Sequence, residues 1–397
     1  MIKEEYRVAY EKLGAAAVLL SEKRIDCWLI LNREASDPSL PLLIGTTSIH
    51  EAAVIVRPDG RHMILASESD RGNFENTGLF AEIITYGPNF EEALAGLIER
   101  LNPSKLALNF SQHDHLCDGL TVGQYLILQR AIGRDKLAGI EVSSEEVLKE
   151  IRSVKTPAEL ERIQIAIDYT HEIFEEVAAQ ARVGMTEKEI GSLFVEGMKK
   201  RGVSNGIEHP FDPPLVCIVR AGLAHRKPGN TKVIPGDIVI MDMCVKYRDY
   251  CSDIARTLYF LRPEELTAPR DVQHAFDTAV GAITAAIEEI SPGKKGYEVD
   301  AAGRRHIEAG GYPTIRHSVG HQIGRACHDG GTRLGPLHKK PDVEGVIKAG
   351  EVYAIEPTVI QDGGLPCMLV EENVVVTENG SIILSKRQLE LVTIPCG

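Results

Sequence analysis

The segment MDMCVKYRDYCSD, Met241 to Asp253, is an apolar, β-rich stretch that carries an aspartate near each end. In an antiparallel pair of strands, facing residues have numbers with a constant sum. Pairing Asp242 with Asp253 therefore centres a turn between Tyr247 and Arg248, inside a polar run. This register predicts a buried hairpin in which the two aspartates are cross-strand neighbours, with their Cβ atoms about 5 Å apart.

A second segment repeats this arrangement. The run GDIVIMD, residues 236–242, has a counterpart in GEVYAIE, residues 350–356, and each run ends in an acid six residues after its glycine. Pairing Glu356 with Glu371 centres a turn on the two glycines of QDGGLP. The sequence thus predicts a duplicated strand-turn-strand unit with a facing pair of carboxylates in each copy.

Four carboxylates on apolar strands require compensation, because desolvation and mutual repulsion raise the pKa values of buried acids. Two divalent metals would balance them, and oxygen-rich ligation with at most one imidazole favours Mn, Fe, Co or Zn. Imidazoles are available in HSVGHQIGRACHDGG, which holds His317, His321 and His328 in a glycine-rich, loop-like setting. His225, in GLAHRKPGN ahead of the first hairpin, is a fourth candidate.

Charge and composition argue against several other classes of protein. The net charge is -13 and the basic residues are scattered, so binding to nucleic acid would work against the protein's own field. No run approaches the roughly 20 apolar residues of a membrane span, and the charged, helical opening predicts a cytoplasmic protein. The eight dispersed cysteines include no Cys-x-x-Cys pair and predict reduced, mostly buried thiols.

The chain is long enough for two domains, and we expect the boundary near residue 152. Residues 1–152 alternate helical patterns with the strand-like runs CWLIL, AAVIV, HMILA, EIITY and KLALNF, which predicts an α/β domain. Beyond the boundary, Thr156, Pro157 and Glu159 have the pattern of a helix start with a capping box. Helices there precede the strand-rich segments.

The same residues carry a resemblance to a known family. An aspartate is followed eleven residues later by another, then by Gly-His-x-x-Gly with a histidine seven residues on, then by Ile-Glu-Pro and by Val-Glu-Glu. This ordered set resembles the creatinase/prolidase/aminopeptidase P family of pita-bread metallopeptidases. The resemblance covers the whole chain and implies an α+β fold. Residues 153–397 resemble the catalytic domain and residues 1–152 the smaller creatinase-type N-terminal domain, a layout similar to Xaa-Pro dipeptidase and aminopeptidase P.

The resemblance implies a two-metal site. Five positions match the metal ligands of the family: Asp242, Asp253, His321, Glu356 and Glu371. By that similarity, Asp253 and Glu371 bridge two divalent metal ions per chain. Such a pair would lower the pKa of a bridging water and hold a hydroxide ready to attack a peptide carbonyl, with Glu356 managing the proton.

The resemblance also assigns the remaining histidines and a partner. His225 and His328 match non-ligand histidines that contact the scissile amide, and His317 matches another histidine of the pocket. The implied reaction is hydrolysis of a peptide bond, with an Xaa-Pro bond as the first expectation. The implied assembly is a homodimer.

Several pocket positions depart from the family pattern, at Arg226, Cys244, Thr358 and Leu369. These departures keep two alternatives open. One is a small-molecule amidohydrolase that resembles creatinase or ectoine hydrolase, acting on a small amide substrate. The other is a non-catalytic binding module on the same fold, against which the complete ligand set argues.

Overall fold

The structure, a computed structural model, describes five stretches of the chain: 2–46, 49–222, 226–337, 341–361 and 366–396. Contacts within the chain separate two units, Met1–Arg152 and Ser153–Gly397. The candidate histidine His225 and the expected turn at Gly363 and Gly364 lie outside the described residues.

The N-terminal unit is built on a six-stranded sheet. Its strands are β1 (Cys27–Arg33), β2 (Glu51–Val56), β3 (Met63–Ser67), β4 (Glu82–Tyr86), β5 (Leu106–Leu108) and β6 (Glu141–Ser143). They are arranged in the order β4-β3-β2-β1-β5-β6, and β1 pairs antiparallel with β2 and parallel with β5. Each of the five predicted strand-like runs overlaps one of β1 to β5, so these strands are confirmed.

Helices cover the sheet of the N-terminal unit. They are α1 (Arg7–Glu22), α2 (Leu40–Leu43), α3 (Arg71–Phe74), α4 (Phe90–Leu101), α5 (Val122–Ile132), α6 (Arg134–Ile140) and α7 (Glu145–Ser153). Leu29, Ile55 and Leu65 of the sheet pack with Leu94 of α4 and Leu128 of α5 in one apolar core. Alternating sheet residues and one helix face thus bury each other, as layered α/β units require.

The C-terminal unit begins with the predicted helix. Its helices are α8 (Pro157–Gln180), α9 (Glu187–Arg201), α10 (Arg270–Glu289) and α11 (Gly296–Ala309). Pro157 is the first residue of α8, and the N–H of Thr156 donates to the Glu159 carboxylate at 2.7 Å, which satisfies a backbone donor at the helix start. Within the described stretches, no helix is both long and apolar enough to cross a membrane.

Two four-stranded sheets form the centre of this unit. The strands are β7 (Ser204–Asn205), β8 (Leu215–Ile218), β9 (Ile238–Met243), β10 (Val245–Tyr247), β11 (Tyr250–Cys251), β12 (Ile254–Phe260), β13 (Gly320–Gln322), β14 (Val352–Ile355), β15 (Glu372–Thr377), β16 (Gly380–Ile383) and β17 (Val392–Ile394). One sheet has the order β17-β12-β9-β8 and the other β13-β14-β15-β16, beside a small β11-β10-β7 sheet. The repeated runs GDIVIMD and GEVYAIE therefore supply β9 and β14, an interior strand of each large sheet.

The first hairpin has a register two residues away from the predicted one. Asp242 of β9 faces Ala255 of β12 rather than Asp253. The cause is the turn, whose tip residues Arg248 and Asp249 have positive φ angles of 44° and 67° and close a tighter, later turn than expected. A shift of two residues keeps a strand side chain on the same face, and the charge of Asp253 still acts on Asp242.

The second hairpin has the predicted register. Ile355 of β14 faces Glu372 of β15, which is the register that pairs Glu356 with Glu371. The isolated bridge between Val359 and Met368, nearer the turn, has the same register. The two glutamates therefore leave the paired strands opposite each other, and this part of the prediction is confirmed.

Candidate metal centre

The four predicted acids lie at the ends of strands in the two large sheets. Asp242 is in β9 and Asp253 directly precedes β12, while Glu356 directly follows β14 and Glu371 directly precedes β15. The N–H of Glu371 donates to the carbonyl of Ala255 at 3.2 Å, which links one sheet to the other beside the acids. We refer to these four acids as the carboxylate set.

His321 projects from β13 toward the carboxylate set. Its Nε2 lies 3.4 Å from Asp253 Oδ2 and 3.7 Å from Glu356 Oε1. Its Nδ1 lies 3.2 Å from the carbonyl of Gln322, which can only accept a hydrogen bond, so Nδ1 carries the proton. Nε2 faces the acids, and when it gives up its proton its lone pair points at them, which is the arrangement that a metal-binding histidine needs.

Three of the predicted ligands converge. One carboxylate oxygen each of Asp253 and Glu371 and a ring nitrogen of His321 all lie within 4.8 Å of one another. Both acids are buried, with exposed fractions of 4% and 2%. A first-row cation with bonds of about 2.0–2.2 Å spaces its ligands by roughly 3–4 Å, so small side-chain rotations would bring all three to one ion.

The carboxylate set is electrostatically unfavourable by itself. Burial raises the pKa of Glu371 well above its usual range, and the charges of Asp253 and Glu356 raise it further. Burial likewise raises the pKa of Asp242, with the charge of Asp253 adding to the effect. Burial also raises the pKa of Glu356, to about 7. These acids need compensating positive charge in order to be ionised together at neutral pH.

Nearby side chains supply part of that positive charge. Burial lowers the pKa of His321, but its hydrogen bond to Asp253 and the neighbouring carboxylate charge outweigh burial and raise the pKa to about 9. Arg256 lies 3.2 Å from Glu372 Oε2 and donates to the backbone carbonyl of Glu371 at 2.7 Å, so its ion pair is with a residue outside the set. One imidazolium does not balance four carboxylates, and the oxygen-rich donor set with a single imidazole suits divalent cations.

The predicted pocket histidines are placed differently. The ring of His328 is exposed and its centroid lies 4.3 Å from that of His321, beside the predicted ligands. His317 is hydrogen-bonded at both ring nitrogens, because its Nδ1 lies 2.6 Å from the carbonyl of the next residue and its Nε2 lies 2.5 Å from the hydroxyl of Thr358, which follows β14. His225 lies outside the described residues. Of the two pocket histidines that the structure describes, His328 lies against the predicted ligand His321.

Two side chains that sequence spacing did not indicate hold Asp253. The side chain of Asn373 donates to the Asp253 carbonyl at 2.5 Å and accepts from the Asp253 N–H at 3.1 Å. The thiol of Cys327 donates to Asp253 Oδ2 at 2.8 Å. The available signal for Asn373 was a polar residue inside the apolar run ENVVVT, whereas Cys327 is marked only by its place next to His328.

Asn373→Ala is expected to lower the free energy of unfolding by about 2–4 kcal/mol, because it leaves the buried N–H and carbonyl of Asp253 without partners. Metal affinity should fall as well, since the backbone that carries Asp253 is no longer fixed. Urea unfolding and metal titration measure the two effects. The exposed Asn73→Ala is the control, and a loss at position 373 no larger than the control's would contradict the assignment.

A buried set of carboxylates with one imidazole has the donor atoms that divalent cations in proteins use. A family model described as metallopeptidase family M24 matches residues 161–378, which include all five predicted ligands. The chain belongs to metallopeptidase family M24. The predicted family and its α+β, pita-bread fold are thereby confirmed.

Comparisons with individual proteins agree with the family. An uncharacterised peptidase of Staphylococcus haemolyticus is 29% identical over 302 residues, 75% of this chain and 80% of the relative. The Xaa-Pro dipeptidase of Pyrococcus furiosus is 31% identical over 252 residues, 62% of this chain and 67% of the relative. The solved structure of an Xaa-Pro dipeptidase from Bacillus anthracis is similar with a TM-score of 0.75 at 21% identity, covering 97% of this chain and 100% of the other. The chain is thus a metallopeptidase by family and by fold.

Proposed function

We propose that this metallopeptidase holds two divalent cations and cleaves Xaa-Pro bonds. The observation that carries the proposal is the convergence of Asp253, His321 and Glu371, whose ligand atoms lie within 4.8 Å of one another. Asp253, His321 and Glu371 would hold the cations together with Asp242 and with Glu356, whose Oε1 lies 3.7 Å from His321 Nε2.

The bound cations would supply Lewis acidity for the substrate carbonyl and would lower the pKa of water. Side chains then move the protons. Glu356 accepts a proton from the attacking water on its carboxylate and passes it to the departing amine. His328, beside His321, donates to the carbonyl oxygen as that oxygen gains negative charge.

The similarity to the Xaa-Pro dipeptidase of Pyrococcus furiosus supports proline nitrogen as the leaving group. Two contacts favour a second candidate, a small cyclic or N-acyl amide as the substrate. The Thr358 hydroxyl lies 2.5 Å from His317 Nε2 and the Ser318 carbonyl lies 2.6 Å from its Nδ1, so both ring nitrogens of this histidine are already hydrogen-bonded within the protein.

A substrate panel distinguishes these candidates. Purified chain supplemented with manganese or cobalt is assayed against Ala-Pro, an Xaa-Pro tripeptide, Ala-Ala and several N-acyl and cyclic amides, each with a chelator control. The proposal predicts metal-dependent hydrolysis of the proline peptides above all others. Activity confined to the small amides would reject Xaa-Pro specificity and select the second candidate.

His328→Gln is expected to reduce kcat by about a hundredfold, because the developing oxyanion loses one donor. Metal content should stay at the wild-type level, since His328 is not assigned as a ligand. Steady-state kinetics and elemental analysis on the same preparation measure both quantities. His115→Gln, at an exposed histidine of the N-terminal unit, is the matched control. Loss of metal in His328→Gln would show instead that this histidine is a ligand.

We also propose that the protein is a homodimer, on the strength of its resemblance to the family. Light scattering coupled to size-exclusion chromatography should give twice the chain mass of 43.5 kDa. A mass equal to one chain would reject this part of the proposal.

A further inference from the structure

Three buried thiols lie beside the carboxylate set and have no role in the reaction proposed above. Cys244 follows β9, Cys251 is in β11 and Cys327 is in the loop after β13. They pack on one another as a separate buried group, which we call the thiol cluster. None is more than 3% exposed, and all three are free thiols.

The thiol cluster touches the carboxylate set through Asp253. Cys327 Sγ donates to Asp253 Oδ2 at 2.8 Å, and His321 Nε2 lies 3.4 Å from the same oxygen. The sulfurs of Cys244 and Cys327 and a carboxylate oxygen of Asp253 all lie within 4.8 Å of one another. Tetrahedral zinc with Zn–S bonds of about 2.3 Å spaces its sulfur ligands by about 3.8 Å, so this triad has the spacing of a cation site.

Backbone packing leaves the sulfurs of the thiol cluster a confined space. Gly206 lies over them, and its N–H donates to the Cys244 carbonyl at 2.8 Å. A β-carbon at position 206 would collide with the Cys244 sulfur and would lie 3.0 Å from the Cys251 sulfur. A methyl group there would therefore displace the Cys244 sulfur while removing none of the three thiols.

We propose that Cys244, Cys327 and Asp253 form a second cation site that selects thiophilic divalent ions of the zinc and cadmium class. Cys251, in the same cluster, is the nearest candidate for a fourth ligand. Thiolate ligands favour soft cations, whereas the carboxylate set with its single imidazole favours harder ones such as manganese. Each thiol that coordinates releases its proton to solvent, so the bound ion replaces two thiol protons.

Because Asp253 belongs to both sites, a soft cation in the thiol site draws an oxygen away from the carboxylate set. Zinc or cadmium in excess should therefore inhibit manganese-dependent hydrolysis. This consequence rests on the proposed function, whereas the binding of the soft cation does not. A readout of the sulfur ligands therefore tests the site independently of turnover.

Titration of the reduced, manganese-loaded chain with Cd²⁺ tests the proposal, with sulfur-to-cadmium charge-transfer absorption as the signal. The wild type should saturate at one Cd²⁺ per chain. Cys327→Ser and Gly206→Ala should each raise the half-saturating Cd²⁺ concentration at least about tenfold, the first by removing a ligand and the second by displacing the Cys244 sulfur from its position beside Cys327. The matched control is Cys117→Ser, because Cys117 is also a buried thiol that donates to an aspartate, Asp114, at 3.5 Å but lies in the N-terminal unit. It should titrate as the wild type does.

Cadmium-113 NMR of the wild type gives a second readout that does not depend on variants folding. The proposal predicts a resonance in the sulfur-ligated range, and a spectrum with only oxygen- and nitrogen-ligated cadmium would overturn it. Equal titrations of the wild type and Cys327→Ser would overturn it too. A chain that shows the sulfur signal but hydrolyses no substrate would reject the proposed function and support the thiol site. An active chain without the sulfur signal would support the proposed function and reject the thiol site.

Discussion

Asp253→Asn should reduce kcat/KM for Xaa-Pro hydrolysis by at least about a thousandfold, or about 4 kcal/mol of transition-state stabilisation. The expected effect is large because the Asp253 carboxylate lies 3.4 Å from His321 Nε2 and within 4.8 Å of a Glu371 carboxylate oxygen. The amide keeps the size of the side chain but removes the charge that balances divalent cations. Bound metal should therefore be lost together with activity.

The same hairpin offers a matched control for this variant. Asp249 lies at the tip of the turn, its side chain is 62% exposed, and it contacts Arg325 rather than the carboxylate set. Asp249→Asn should keep metal content and activity at the wild-type level. If Asp253→Asn instead retained wild-type metal content, Asp253 would have no part in holding the cations and the site would have to be reassigned.

Glu371→Gln should change stability in opposite directions with and without metal. Burial and the charges of Asp253 and Glu356 raise the pKa of Glu371 above its ordinary value of 4.5. A carboxyl with a raised pKa in the folded state destabilises the fold above its unfolded-state pKa, and the penalty is complete above the folded-state value. In chelator, the variant should therefore be more stable than the wild type, by a margin that grows as pH rises from 4.5.

Bound metal should make the wild type more stable than Glu371→Gln. A divalent cation at about a thousand times its Kd adds about 4 kcal/mol to the stability of a protein that binds it only when folded. The wild type should gain that increment and Glu371→Gln should not. Thermal unfolding over a pH series, with chelator or with manganese, measures both states. Glu264→Gln, at an exposed position, is the control, and a variant at position 371 that is destabilised in chelator would contradict the electrostatic account.

The positions of the acids were predictable because strand pairing follows from residue numbers. The offset of Glu356 and Glu371 is the observed one. The first hairpin differed by two residues because Arg248 and Asp249 both adopt positive φ, which aspartate tolerates but which an arginine does not signal in a sequence. An even shift preserves the face, so a local error in the turn left the inferred neighbourhood of the aspartates intact.

Contacts between distant segments were not predictable in this way. Cys327 and Asn373 both bind Asp253, yet they are separated from it by 74 and 120 residues. Spacing within a motif carries no information on such contacts, because they depend on how the two large sheets meet. The thiol cluster could not be predicted from the sequence for the same reason, since Cys244 and Cys327 come together only in the folded protein.

Metal stoichiometry tests the central claim most directly. The purified chain is stripped with chelator, reloaded with manganese or cobalt, freed of unbound ions and analysed for metal per chain, with Ala-Pro hydrolysis measured on the same samples. We predict two divalent cations per chain and hydrolysis that is absent from the stripped protein and rises with occupancy. A chain that binds no divalent cation, or that hydrolyses Ala-Pro equally well after stripping, would contradict the account.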